Sequence, residues 1–355
     1  MSHSYVTLYE YLMELEPAIN GHLVSCSALA LIANIAKSLP AYVSDVFGFE
    51  TRLIGDNMQT DFSINLSKQG CEYFKADNIK LAPGLYQIYQ EKWSRLGQFI
   101  NEWGLSNSTP FADANSVWLE FDIHKDQMTP LMPSMILFAY WLSSSPSKMI
   151  VKRPIEWLTN TILPILTSDS LSDQLVSNLK HYINLSHPAT YFQVGAMFTR
   201  NIDAIRLCIF THNAEETLAL IDSLGIDWAY SGVKSAIKSF EADIDSFCVN
   251  IDIGSKIYPR IGLELLYNET NAWRRQPKRE PRWYSLLDHL VEQGLCEPQR
   301  REALLSWPGY SSLRSAGKSG GLLLRGLQHI KLVFSPDHQP ESKAYFGASP
   351  HFFTT

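Results

Sequence analysis

Five times along this chain, two short segments of alternating apolar and polar residues follow one another across a polar connection, most often rich in Gly, Pro, Asn or Asp. The pairs are 47–54 with 60–67, 116–123 with 133–141, 190–198 with 204–210, 246–253 with 260–267, and 329–334 with 342–347. Alternation with a period of two marks a strand that buries one face. Connections of this kind favour antiparallel hairpins. Between the pairs run helical patterns at 5–16, 22–38, 84–103, 153–166, 170–183, 214–223, 228–243, 281–293 and 298–306. The hairpin turns recur every 55 to 80 residues, roughly, which is a fivefold supersecondary repeat without obvious sequence identity between units. The chain is therefore read as one domain over 1–355.

The two faces of the strands differ sharply. Leu119, Phe121 and Ile123 oppose Trp118, Glu120 and Asp122, and Val249, Ile251 and Ile253 oppose Cys248, Asn250 and Asp252. Ile261, Leu263 and Leu265 oppose Arg260, Gly262 and Glu264. In the last pair Ile330, Leu332, Phe334, Ala344 and Phe346 oppose Lys331, Val333, Lys343 and Tyr345. One face is apolar and suits a covering of helices. The other is polar, and closing the sheet on itself removes both exposed edges. The expected fold is α+β: a ten-stranded antiparallel β-barrel of five helix-strand-strand-helix units, helices outside, around a polar, aromatic-lined lumen.

Composition excludes several classes. With 45% hydrophobic and 19% charged residues in 355, the chain has material for a large core and is neither disordered nor fibrous. Its 30 basic and 36 acidic residues give a net charge of −6, which argues against a dedicated nucleic-acid binder. The five cysteines are scattered, odd in number and never in a CxxC pair, so neither a disulfide framework nor a zinc or iron–sulfur site is suggested and a reducing cytoplasm is expected. The stretch 17–36 carries no formal charge. Pro17, Asn20, Gly21, His22 and Asn34 interrupt it, and Glu10, Glu14 and Glu16 precede it where a signal peptide needs positive charge, so it reads as a buried helix. No phosphate loop, GxSxG, HExxH or DDxxD motif occurs, and Asp169 and Asp173 stand in a plain helix-start context. Chemistry that requires no metal is the simpler expectation, with Mg²⁺ permitted but implied by no acidic motif. Two basic runs, 274–282 and 314–325, read as exposed loops; the first is either simply solvated or a grip for an acidic peptide or phosphate.

The whole pattern resembles the ABBA, or PT-barrel, prenyltransferases over roughly residues 5–348, by architecture and face chemistry rather than by a motif. The resemblance implies transfer of an allylic prenyl group from a diphosphate to an aromatic small-molecule or peptide acceptor inside the barrel, as in natural-product biosynthesis. It implies Arg206, Arg260, Lys331, Lys343 and Tyr345 as the diphosphate-binding lining, since cations on rigid strands neutralise a departing diphosphate. It implies Trp118 and Tyr191, with Tyr345, as π-faces for the allyl cation. Glu120, Asp122 and Glu264 are the implied catalytic carboxylates, Glu120 first because Trp118 stands beside it. From Arg206 onward the inward positions carry Arg206, Arg260, Lys331 and Lys343 against Asp252 and Glu264, so a cationic interior is expected. Bland readings stand beside these: inward Glu and Arg that only pair with each other, Trp118 and Tyr191 as packing residues, and His329 as an ordinary solvated histidine at a strand start rather than a lumen acid or base. A repurposed barrel that binds a hydrophobic small molecule or peptide, or runs other chemistry, is the alternative.

Overall fold

The computed structural model describes residues 7–55, 59–75, 83–103, 117–123, 132–141, 155–167, 171–186, 191–200, 202–269, 271–313 and 320–353. The turn residues Asp56 and Asn57, the connection 124–129, Asp169 and residues 314–319 of the second basic run lie outside them. Each expected strand forms: β1 (Ser44–Arg52), β2 (Thr60–Leu66), β3 (Val117–Phe121), β4 (Met135–Trp141), β5 (Tyr191–Ala196), β6 (Ile205–Thr211), β7 (Ser246–Ile253) and β8 (Ile257–Leu266). The last hairpin is larger than its alternation suggests. It comprises β9 (Gly309–Leu313), β10 (Gly321–Phe334) and β11 (Glu341–Phe352).

Every pairing is antiparallel, and the order β1-β2-β3-β4-β5-β6-β7-β8-β10-β11 returns to β1 through the β11–β1 ladder. Ten strands thus close a barrel. β9 pairs outside the ring, on the first half of β10, with Tyr310 opposite Leu324. This corrects one expectation: residues 321–325 of the supposed second exposed loop are strand. Arg and Gly dominate that run and mask three consecutive leucines, of which Leu323 is fully buried.

The described helices are α1 (Leu8–Leu15), α2 (Cys26–Ser38), α3 (Lys68–Lys75), α4 (Pro83–Trp103), α5 (Ile155–Trp157), which runs through a π turn (Leu158–Ile162) into α6 (Leu163–Thr167), α7 (Asp173–Leu185), α8 (Ala214–Ser223), α9 (Asp227–Phe240), α10 (Arg282–Glu292) and α11 (Pro298–Ser306). Side-chain caps start three of them: Ser25 accepts from the Ala28 N–H, Ser172 from Leu175 and Asn213 from Glu216. The uncharged stretch 17–36 begins in a 3₁₀ turn at Glu16–Ala18 and is helical only from Cys26, where α2 buries Ala28, Ile32, Ile35 and Ala36. Among the described residues no helix is long and apolar enough to cross a membrane. Only α3 had no signal in the sequence. Its eight residues, KQGCEYFK, contain no apolar run, and Cys71 and Phe74 supply its buried side chains.

The helices cover the apolar outer face. A row of aromatic rings crosses that face from β11 to β3: Phe346 lies 5.4 Å from Phe49, Phe49 6.0 Å from Phe62, and Phe62 6.2 Å from Phe121. Trp307, just after α11, closes edge-on against Phe49 and Phe346 and donates its indole N–H to the Gly347 carbonyl at 3.1 Å. Gly347 faces Gly48 where β11 meets β1. A Cβ at Gly347 would overlap the Phe47 carbonyl oxygen, so the seam tolerates no side chain there. Gly347→Ala should therefore cost about 2–4 kcal/mol in denaturant unfolding. An unchanged midpoint would show that the seam relaxes.

Candidate functional site

Because alternate residues of a strand point to opposite faces, helices that bury Phe47, Leu119, Leu207, Val249 and Leu263 outside turn their polar neighbours inward. All ten barrel strands line two adjoining cavities of about 260 and 210 Å³. Both touch Glu50, Asp61, Arg200, Arg206, Lys331 and Tyr345. The larger adds Arg52, Asp252, Arg260 and Lys343 and reaches the exposed Ile202. The smaller adds Trp118, Met135, Leu137 and Phe210 as apolar walls, and Ser63, Glu120, Gln193, Glu264 and His329 as further polar groups.

Most of the charges are paired. Arg206 grips Asp252 through two hydrogen bonds of 2.7 and 2.8 Å, and Arg200 grips Asp122 at 2.7 and 2.6 Å, with Glu120 4.0 Å from the same guanidinium. Lys331 donates to Asn250 and lies 3.4 Å from Glu264. Gly262 makes this possible, because a Cβ there would overlap the Lys331 side chain. Lys343 and Tyr345 both donate to Glu50. At the rim the arrangement loosens. Arg52 and Arg260 share the half-exposed Glu341 at 3.9 and 3.8 Å, and Nη1 of Arg52 is buried without a hydrogen-bond partner.

These contacts separate the carboxylates. Burial raises Glu50, Asp122, Asp252 and Glu264, but Lys343 and Lys331 outweigh it at Glu50, Arg200 at Asp122, Arg206 at Asp252, and His329 with Lys331 at Glu264, so all four sit below the ordinary range. Glu120 is different. Burial pushes it up to about 6, and Arg200 only partly opposes this. Asp61 also rises to about 6, through burial and then through the neighbouring charge of Glu50.

The expected inward residues Trp118, Glu120, Asp122, Arg206, Arg260, Glu264, Lys331, Lys343 and Tyr345 all line the cavities. Tyr191 begins β5 opposite Trp141, but its side chain lies outside the described residues. Three features differ from expectation. His329 is no solvated histidine: it stacks on Tyr345 at 4.2 Å inside the smaller cavity. The interior is not cationic: among the described lining residues Arg52, Arg200, Arg206, Arg260, Lys331 and Lys343 face Glu50, Asp61, Glu120, Asp122, Asp252 and Glu264. In the first basic run, Gln276 is buried, not solvated, and its amide pairs with both backbone groups of Leu327.

Glu50, Arg52 and Asp61 were legible through the same alternation, since they oppose Phe47, Phe49, Phe62 and Ile64 in the first hairpin. Arg200 was not. It follows β5, and only the folded chain brings its guanidinium against Asp122 and Met135 Sδ at 3.6 Å.

No protein-family model and no curated protein matches the sequence. Solved structures do match. AnaPT from Neosartorya fischeri is 10% identical over 99% of this chain and 94% of its own, with a TM-score of 0.53. The prenyltransferase PriB is 11% identical over 96% and 94%, at 0.52. The 5-dimethylallyltryptophan synthase of Streptomyces coelicolor is 10% identical over 95% of both chains, at 0.51. This is the PT-barrel fold. Within the PT-barrel lumen, the charged cavity and the aromatic cavity adjoin, and Tyr345, Lys331 and Arg206 line both.

Proposed function

We propose that this PT-barrel, acting as a single domain, transfers an allylic prenyl group from its diphosphate to an aromatic small-molecule or peptide acceptor inside the lumen. The observation that carries the reading is that a cation-bearing cavity and an aromatic one adjoin and share Tyr345, Lys331 and Arg206 in their walls. The diphosphate sits at the rim on Arg52, Arg260, Lys343 and Lys331, displacing Glu341 from the two arginines, with Arg206 and Tyr345 at the junction. The allylic C–O bond ionises and its electron pair leaves with the diphosphate, whose charge the cations hold. Trp118 and Tyr345 present π-faces to the cation. The acceptor ring forms the new C–C bond and loses a proton to Glu120, whose pKa of about 6 suits a base near neutral pH. Asp122 holds Arg200 beside Glu120. The ternary complex of PriB with L-tryptophan and dimethylallyl thiolodiphosphate supports a donor and an aromatic acceptor in this fold. The five free cysteines suit a reducing cytoplasm.

Dimethylallyl, geranyl and farnesyl diphosphates with indole and phenol acceptors, followed by mass spectrometry, test the reading. Turnover is expected and should persist in EDTA, because side-chain cations carry the leaving group. Arg52→Ala with Arg260→Ala should weaken dimethylallyl thiolodiphosphate by at least about 100-fold, as each charged hydrogen bond contributes about 1.5–3 kcal/mol. Glu341→Gln should tighten it. Neither binding nor turnover with any donor would end the proposal.

The pairing of Arg206, Arg200 and Lys343 with carboxylates favours a second reading, a barrel that binds an aromatic ligand without prenyl transfer. Acceptor binding without any thiolodiphosphate binding would identify it.

A further inference from the structure

We infer that His329 and Glu264 form a second recognition point in the lumen, facing Glu120 from the opposite wall, that reads a hydroxyl group on the far end of the aromatic acceptor. The inference rests on the acceptor reading above and adds to it the chemistry of the acceptor's other end.

The barrel's order sets the geometry. In a ring of ten strands β3 and β8 lie five places apart in either direction, so Glu120 and Glu264 project from opposite walls, and β10 places His329 next to Glu264. Between them the walls are Trp118, Met135, Leu137 and Phe210. A flat aromatic molecule held there has Glu120 at one end and His329 with Glu264 at the other, and Ser63, Gln193 and Asn250 also line the space.

The His329 end is unsatisfied. Its Nε2 is buried without a hydrogen-bond partner, and the nearest carboxylate oxygen, Glu264 Oε2, lies 3.8 Å away, beyond hydrogen-bond range. The other oxygen of Glu264 is already engaged, with Lys331 at 3.4 Å. A hydroxyl meets both needs, because it donates its proton to Oε2 and offers a lone pair to the imidazole N–H. An ammonium does not, since it has no lone pair for the imidazole N–H and Lys331 already sets one cation against this carboxylate. Burial lowers the pKa of His329 from its ordinary value, while the charge of Glu264 works the other way.

The fold invests in this orientation. His329 shares the inward phase of Lys331, and a β-bulge between Leu327 and His329 shifts the register of β10 against β11 so that Gln328 reaches the cavity beside it. Gln276 fixes the bulge: its Nε2 donates to the Leu327 carbonyl at 3.0 Å and its Oε1 accepts the Leu327 N–H at 2.7 Å. The loop 274–282 thus acts on the lumen through one buried amide, and Gln276 is a positioning residue.

Calorimetric binding of tryptophol, its isostere 3-propylindole and tryptamine tests the inference. The wild-type chain should bind tryptophol at least about tenfold tighter than 3-propylindole, the cost of leaving a buried polar pair unmet, and tighter than tryptamine. His329→Phe keeps a ring on Tyr345 and should reduce the tenfold preference to threefold or less; Gln276→Ala, which leaves the imidazole in place, should reduce it in part. If His329→Phe fails to fold, Glu264→Gln replaces it with the same expected loss. No tryptophol binding, an equal affinity for the two isosteres, a preference for tryptamine, or a preference that survives the substitution overturns the inference. Prenyl transfer is measured separately. A His329-dependent preference without transfer refutes the proposed function alone, and transfer without the preference refutes this inference alone.

Discussion

Glu120→Gln should lower kcat for an aromatic acceptor by about 10²–10⁴-fold, the range for removal of a general base, while the barrel stays folded. The amide keeps the shape of the carboxyl group beside Arg200 but accepts no proton. The pH dependence gives the sharper test. In the folded protein Glu120 ionises at about 6, so the wild-type rate should rise with pH through that value and level off above it. The Gln variant should lack that limb. Stability should move the opposite way. Below about pH 4 the carboxyl is protonated in both folded and unfolded chains. Between its ordinary value of 4.5 and about 6 the unfolded chain loses the proton first, so the folded state is penalised as pH rises, by about 2 kcal/mol once both are ionised. Glu120→Gln removes that penalty and should be the more stable protein at pH 7.5, with no advantage at pH 4. A variant that is slower only because it is less stable would refute the assignment.

The barrel was legible because its signal is repeated and two-sided. Leu119, Phe121 and Ile123 against Trp118, Glu120 and Asp122 orient β3 without help from any other strand, and each further hairpin makes the same statement. The same reasoning reached most of the lumen. It failed where position is not encoded by alternation. Arg200 enters the site from the segment that joins β5 to β6, and its partner Asp122 is distant in sequence. His329 shares the inward phase of Lys331, but the bulge after Leu327 that also turns Gln328 inward, and the glutamine from another loop that holds it, carry no such signal. The charge balance of the interior was misread for a simpler reason. Counting began at Arg206 and omitted Glu50, Asp61, Glu120 and Asp122, acids that all sit in the first half of the chain.

Asp252→Ala should destabilise the fold by about 3–5 kcal/mol, because it strands the Arg206 guanidinium, 16% exposed, without its bidentate partner. Arg206→Met with Asp252→Leu should recover most of that loss, since an apolar pair of similar volume avoids the desolvation of both charges. Denaturant unfolding of Arg206→Met, Asp252→Leu and the double variant measures the coupling. Substitutions at these two positions also separate a pair that only fills the lumen from one that serves a substrate. If Arg206 meets the diphosphate at the junction of the cavities, removing its competing carboxylate frees donor capacity for that anion. Asp252→Asn should then bind dimethylallyl thiolodiphosphate more tightly than wild type while being less stable, and the double apolar variant should be stable yet bind it poorly. A structural network gives the stability changes with no change in anion affinity. Stability and binding that move in opposite directions on one substitution are what a substrate-directed arginine held by a buried carboxylate must produce, and a scaffold pair has no means of producing it.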